Sequence, residues 1–173
     1  MSVVALVGNP REGSRTLNVA VEAAEAVARR LGVPGSPDVV DLSALGPHLL
    51  AAGPAPGVEV ALELVAESTV LVVASPTYKG TYTGLLKAFL DRLRPEALAG
   101  VVALPLLVMG DPKHSLAVEV HLRPLLVELG ATVPTPGLAV LESQLGGLEE
   151  VLTRWADRIA PQVAAALAVG QPS

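Results

Sequence analysis

Along this chain, short runs of consecutive apolar residues alternate with longer stretches in which apolar positions recur every three or four residues. Residues 3–7 (VVALV) form a continuous apolar run that stops at Gly8-Asn9-Pro10, the pattern of a strand buried on both faces. Over 16–31, Leu17, Ala20, Val21, Ala24, Val27, Ala28 and Leu31 fall on one face at helical spacing, and Gly32 ends the helix. Residues 38–42 predict a second strand, 47–57 a loop and 58–68 a helix. The run 70–74 (VLVVA) predicts a third strand stopped by Ser75-Pro76, and 84–93 carries Leu85, Leu86, Phe89, Leu90 and Leu93 on one helical face. Residues 101–108 predict a fourth strand, in which Pro105 is awkward for a central position. Asp111-Pro112 reads as an N-cap followed by proline at the first helical position. That helix is predicted to reach Leu129, irregular or kinked at Pro124, with Gly130 as its stop. Residues 131–141 predict a fifth strand and 146–169 a final helix.

Strand and helix thus alternate five times. Continuously apolar strands in this order predict a parallel sheet covered by helices on both faces, a three-layer α/β architecture. The 173 residues suit one domain spanning 1–173. A chain of this size buries roughly 70% of its unfolded surface and needs no disulfide or metal staple.

Composition narrows the function classes. The chain is 51% hydrophobic but has only four aromatics, Tyr78, Tyr82, Phe89 and Trp155, and no cysteine. Lacking cysteine excludes thiolate metal sites, iron–sulfur clusters and cysteine nucleophiles together. Twelve basic against seventeen acidic residues give a net charge of −5, the wrong sign for a phosphate backbone, and aromatic platforms for single strands are missing. We therefore expect no nucleic-acid partner. The opening MSVVALVGNPREG has neither the basic leader nor the apolar length of a signal peptide, and no apolar run is long enough to span a bilayer. The expectation is a cytoplasmic protein without a membrane partner.

In a sheet of this kind ligands bind beyond the carboxyl ends of the strands, at a topological switch point. Three strand-end loops therefore matter most. GNPREGSRT, Gly8 to Thr16, opens a helix, where free N–H groups and the helix dipole favour an anion; Arg11, Ser14, Arg15 and Thr16 could add donors. Equally, Ser14 or Thr16 could simply cap the helix, with the arginines solvated. The spacing matches neither a P-loop nor a dinucleotide fingerprint. SPTYKG, Ser75 to Gly80, sets Tyr78 and Lys79 at a strand end, with Pro76 and Gly80 permitting close approach to a flat ligand. Tyr82 is expected to be half-buried against the neighbouring helix or another subunit, and Phe89 to lie in the core. MGDPKHS, Met109 to Ser115, offers Gly110 for close approach and Asp111, better read as a cap than as an acid. Three scattered histidines make no metal set, and no serine sits in a nucleophile elbow. The site reads as one that binds something phosphorylated and flat, the ligand itself supplying the reactivity.

GNPREGSRT, SPTYKGTYTGLLKAFLDRL and LPLLVMGDPKHSLAVEVHLRPLLVELGA, in this order, resemble the flavodoxin-like NAD(P)H-dependent FMN reductase family, and within it the alkanesulfonate-type branch. The resemblance covers residues 3–141. It implies a flavodoxin-like three-layer sandwich with a five-stranded parallel sheet in the order 2-1-3-4-5 and FMN at the switch point. Arg11, Ser14 and Thr16, with Arg15 beside them, would hold the FMN phosphate, and Asn9 stands where relatives often carry serine. Pro76, Thr77, Tyr78, Lys79 and Gly80 would line the isoalloxazine, and Gly110 and Asp111 its pyrimidine end. Two positions depart from the pattern: Glu119-Val120-His121 replaces an aromatic, and Asp111 replaces a neutral residue.

The implied activity is hydride transfer from NAD(P)H to FMN, with no catalytic side chain beyond the binding set and no metal, and with reduced flavin passed on to a monooxygenase. A quinone or azo reductase with tightly held FMN, or an electron-transfer flavin carrier, is the alternative. Apolar residues on more than one face of 115–129, including Leu116, Val118, Val120, Leu122 and Val127, predict a homodimer or homotetramer. Otherwise the final helix would have to cover the second face.

Overall fold

The computed structural model describes residues 1–169; the last four residues of the expected 1–173 unit lie outside the described residues. Its five strands are β1 (Val3–Val7), β2 (Asp38–Asp41), β3 (Val70–Pro76), β4 (Val102–Met109) and β5 (Leu138–Leu141), all parallel in the order β2-β1-β3-β4-β5. The helices are α1 (Arg15–Leu31), α2 (Gly46–Leu49), α3 (Pro56–Ala66), α4 (Gly84–Leu90), α5 (Arg123–Glu128) and α6 (Leu148–Val169). This is the flavodoxin-like sheet expected from the sequence.

Every residue of β1, β3 and β4 is buried, which is why these segments read as unbroken apolar runs. The period-two geometry of the strand divides them between two cores. Val3, Ala5, Val7, Val70, Val72 and Ala74 pack on one face against α1 and α6, with Trp155 among them. Val4, Leu6, Leu71 and Val73 pack on the other against α3, α4 and the segment leading into α5. Small residues let α1 approach closely: Ala20, Ala23 and Ala24 are fully buried. Ser14 caps α1 through its hydroxyl, and Gly32 closes it in the left-handed conformation at φ 67°.

Three expected elements differ. The loop 47–57 is interrupted by α2, and α3 starts at Pro56, two positions before the predicted Val58, with proline in its first turn. The long helix 111–129 breaks into three pieces. A tight 3₁₀ turn spans Pro112–His114, a widened turn spans Val118–Leu122, and α5 follows. At the widened turn the Arg123 N–H donates to the carbonyl of Val118, five residues back. Pro124 has no N–H to offer the carbonyl of Val120, so regular helical bonding cannot run through this point.

The third difference is β5, which covers only Leu138–Leu141 of the predicted 131–141. Within 131–137 one parallel bridge remains, Thr132 to Val102. Arg123 draws the carbonyls of this segment away from the sheet: it donates to Val133 O at 2.8 Å and to Thr135 O. Glu119 completes the clamp by accepting from Arg123 Nε at 2.5 Å and from the Gly137 N–H. A side chain at residue 137 would meet Val118 Cγ2 at 2.5 Å, so glycine is required for this close approach.

The same irregular segment resolves the awkward Pro105. The Ala103 N–H points to Thr132 O, and residues two apart on a strand direct their N–H groups the same way. Pro105 therefore turns its proton-less nitrogen toward 133–137, where there is no strand to bond.

Arg123→Ala should lower unfolding stability by about 1–3 kcal/mol in urea titration, because buried carbonyls lose their donor and Glu119 loses its partner. The hydrogen bond from Arg123 holds the Glu119 carboxyl below its ordinary range, with partial burial opposing and the Gly137 N–H adding. A depressed carboxyl pKa stabilises the fold above the unfolded value, and the contribution is lost as pH falls through the folded one. Wild type should therefore lose more stability than Arg123→Ala across the carboxylate range; parallel slopes would contradict the clamp.

Candidate functional site

The chain leaves β1 and β3, neighbours in the sheet, toward opposite edges, so their C-terminal loops part and open a crevice. A cleft of about 430 Å³ lies there, lined by residues from the ends of β1, β3, β4 and β5: Asn9 to Thr16 in part, Pro76, Tyr78, Val108 and Glu142. A larger groove of about 570 Å³ lies at the other end of the strands, between Met1, Leu31 and α6. Its walls are mostly aliphatic, with one ion pair, Arg30–Asp157. Of these two, the smaller cleft holds the convergent donors, and we take it as the candidate site.

The loop after β1 is shaped by its own side chains. Asn9, 6% exposed, accepts from the Arg11 N–H at 2.9 Å and donates from Nδ2 to Thr16 Oγ1 at 3.1 Å. Ser14 Oγ accepts from the Leu17 N–H at 3.1 Å. Each hydroxyl, Ser14 and Thr16, has thus accepted once and keeps its proton to donate. Among the described residues, the N–H groups of Gly13, Ser14, Arg15 and Thr16 have no acceptor, although Ser14 and Thr16 are buried. Unspent donors at the start of a helix are the chemistry that a phosphate or another anion requires. Ser14 caps α1, as one reading of the sequence has it, and also lines the cleft.

The loop after β3 is a two-residue reverse turn. Tyr78 and Thr81 exchange backbone hydrogen bonds, N to O at 2.8 Å and 3.3 Å, around Lys79 and Gly80 at φ 53° and 86°. Positive φ at both central positions defines the type I′ turn. Glycine adopts it freely, but lysine pays a steric cost of about 1–2 kcal/mol. Thr77 anchors the turn to β4 by donating its N–H to Val108 O at 2.9 Å. Tyr78 stands exposed at the cleft, while Tyr82 is half-buried against the α3 and α4 core. Phe89 is fully buried in that core.

After β4, Asp111 caps the 3₁₀ turn: its carboxylate accepts from the Lys113 N–H at 2.9 Å and pairs with Lys113 Nζ at 2.9 Å. Those two Lys113 bonds, the backbone one foremost, hold the Asp111 carboxyl below its ordinary range. Asp111 is thus an anion occupied with its own turn.

Of the sequence-predicted residues, Asn9, Arg11, Ser14, Arg15, Thr16, Pro76 and Tyr78 line the cleft together. Thr77, Lys79, Gly80, Gly110 and Asp111 sit on the adjoining loops, outside the cleft lining. Sequence reasoning missed Glu142, whose Oε1 lies 3.0 Å from Arg15 Nη2. Carrying the search for strand-end residues on to the last strand would have found it, directly after Leu141. Also missed was Thr83, which caps α4 and donates to Gly8 O at 2.5 Å, tying the first loop to the second.

A parallel sheet in this order with an anion-ready cleft at its switch point defines a flavodoxin-like α/β protein. More narrowly, the chain belongs to the NADPH-dependent FMN reductase family, whose model matches residues 1–145. It is 34% identical over 147 residues to an FMN reductase (NADPH) of Escherichia coli (strain K12), covering 84% of this chain and 75% of that one. The crystal structure of the NADH:FMN oxidoreductase EMOB in its apo form superposes with a TM-score of 0.78 at 31% identity, over 92% of this chain and 88% of the other. An oxidoreductase from Corynebacterium diphtheriae superposes with a TM-score of 0.84 at 29% identity, over 98% of both chains.

Lys79→Gly should raise stability by up to about 1 kcal/mol, since glycine removes the left-handed strain and gives back part of the gain as backbone entropy. Thermal denaturation checks this; a clear loss of stability would show that the lysine side chain, not the turn, holds the loop.

Proposed function

We propose that this chain is a single-domain oxidoreductase that binds FMN in the strand-end cleft and catalyses its reduction by NAD(P)H. The observation that carries the reading is the row of unspent N–H and hydroxyl donors from Gly13 to Thr16, set at the switch point of a family-typical sheet. When bound, FMN supplies the redox chemistry as hydride acceptor from the reduced nicotinamide. The protein's contribution is binding, orientation and exclusion of water.

In this reading the backbone of 13–16, the hydroxyls of Ser14 and Thr16 and the guanidiniums of Arg11 and Arg15 hold the phosphate. Asn9 holds the loop that presents them. Pro76, Tyr78 and Val108 provide an apolar wall against which a flat ring excludes water. The backbone of Thr77, Lys79 and Gly80, with Gly110 and Asp111, meets the ring edges. Lys79 is strained into its turn, and a lysine kept at positive φ near a site is accounted for if its ammonium counters negative charge on the reduced ring. Proximity of the two ring systems then provides the rate enhancement, with no side chain acting as acid or base.

Passing reduced flavin to a flavin-dependent monooxygenase is the finer form of this proposal and rests on the alkanesulfonate-type resemblance. Cytoplasmic location goes with it. Among the described residues no helix is long and apolar enough to cross a membrane. We also propose self-association through the segment around the widened turn. Its Leu116, Val120 and Val127 are 70%, 57% and 54% exposed, and α6, which could have covered them, packs against α1 on the opposite face of the sheet. Light scattering should give a dimer or tetramer; a monomer removes the interface.

The direct test is steady-state oxidation of NADH and of NADPH with and without added FMN, for which flavin-dependent turnover is expected and its absence is fatal. Arg11→Gln should raise the KM for FMN roughly tenfold, the equivalent of one charge-assisted hydrogen bond. The same variant should leave riboflavin, which carries no phosphate, nearly unaffected.

A further inference from the structure

We propose that Glu142 is an internal competitor of the ligand's phosphate for Arg15, so that it weakens phosphate-bearing flavins and speeds their release. The inference rests on the preceding reading of the cleft as the phosphate site. Arg15 is the first residue of α1, beside the unspent N–H groups, and its guanidinium is already engaged: Nη2 lies 3.0 Å from Glu142 Oε1. Both side chains line the cleft, and both are partly open to solvent, 62% and 42% exposed. Arg11, which lines the same cleft, has no such ion pair among the described residues. The two arginines are therefore not equivalent. Arg11 is available to an incoming anion, whereas Arg15 must first be taken from a carboxylate.

The placement of Glu142 is set by the fold. It follows Leu141, whose register partner on β4 is Met109, so the end of β5 lies level with the strand ends that form the cleft. The 3₁₀ segment Glu142–Gly147 then carries the chain into α6. A phosphate dianion seated at 13–16 and the Glu142 carboxylate both favour the Arg15 guanidinium and repel one another. The carboxylate therefore has to give way or share, and either raises the cost of binding phosphate. A flavin lacking the phosphate does not enter this competition. The consequence matches a flavin that exchanges on each turnover, not one retained as a prosthetic group.

The test is equilibrium binding of FMN and of riboflavin, read by quenching of flavin fluorescence, in wild type, Glu142→Gln, Glu142→Ala and each variant combined with Arg15→Gln. An exposed ion pair is weak by itself, and relief of the like-charge contact adds to its loss, so both Glu142 variants should tighten FMN about 3–10-fold. Riboflavin should change less than about twofold, and the FMN gain should shrink in the Arg15→Gln background. Unchanged or weaker FMN binding in both Glu142 variants overturns the competition and makes Glu142 an aid that orients Arg15. A gain of equal size for riboflavin, or one undiminished without Arg15, also overturns it. If no variant and no wild-type sample quenches FMN, the FMN-site reading itself fails, and the competition with it.

Discussion

The approach of Gly8 to the first turn of α4 is the contact on which the site is built. A β-carbon at this position would lie 2.6 Å from Leu86 Cβ, so only glycine lets the chain leave β1 and pass beneath the helix. Gly8 is bonded on both sides: its N–H to Ala74 O at 2.8 Å and its carbonyl to the Thr83 hydroxyl. Thr83 in turn takes the Leu86 N–H and gives its own to Ser75 Oγ at 3.0 Å. The two loops that flank the switch point are thereby one hydrogen-bonded unit, buried at its base and open at its top. With the base satisfied internally, the donors of 13–16 are left for a ligand.

In the proposed reading, that arrangement reconciles an acidic protein with an anionic ligand. The net charge of −5 says nothing about the few ångströms around the start of α1. There the backbone supplies donors that cannot be screened away by rotation into solvent, and the hydroxyls of Ser14 and Thr16 are oriented by the bonds they already accept. The charged side chains around this fixed set are more exposed and more adjustable. Arg11 and Arg15 raise the local potential, while Glu12 and Glu142 lower it. In that reading, binding strength would be the sum of a rigid backbone term and a tunable surface term, and variation in the second need not disturb the first.

At the other edge of the sheet, Arg123 and Glu119 do the structural work that a longer β5 would have done. Three features that look unrelated in the sequence meet there: Pro105 in β4, the widened turn before Pro124, and Gly137. The widened turn and the close packing at Gly137 bring Glu119 and Arg123 over 133–137, the clamp takes up that segment's polar groups, and Pro105 faces this segment, which needs no donor from β4. The same geometry leaves Val120 and Leu116 on the outside. Val120 is an exposed aliphatic beside a fully engaged Glu119.

The sheet, its order of elements and most of the cleft were legible in the sequence because they rest on local signals. Strands buried on both faces must be apolar at every position, helices must repeat at their own period, and loops at strand ends carry the residues left over from packing. Asn9, Arg11, Ser14, Arg15, Thr16, Pro76 and Tyr78 could be found by that rule alone. The pattern was blind wherever a side chain from elsewhere decides what the backbone does. Pro134, Pro136 and Gly137 already weaken 131–137 as a strand, but no local signal shows that Arg123 takes the carbonyls of Val133 and Thr135. Asp111 could have faced a ligand, and only Lys113 holds it in its turn. Glu142 has no motif, and it enters the cleft because β5 pairs with β4 and ends level with it. Periodicity records what each segment buries, so the sequence by itself determined the layers. Which charge meets which is a matter of register between distant strands, and that the tertiary structure alone decided.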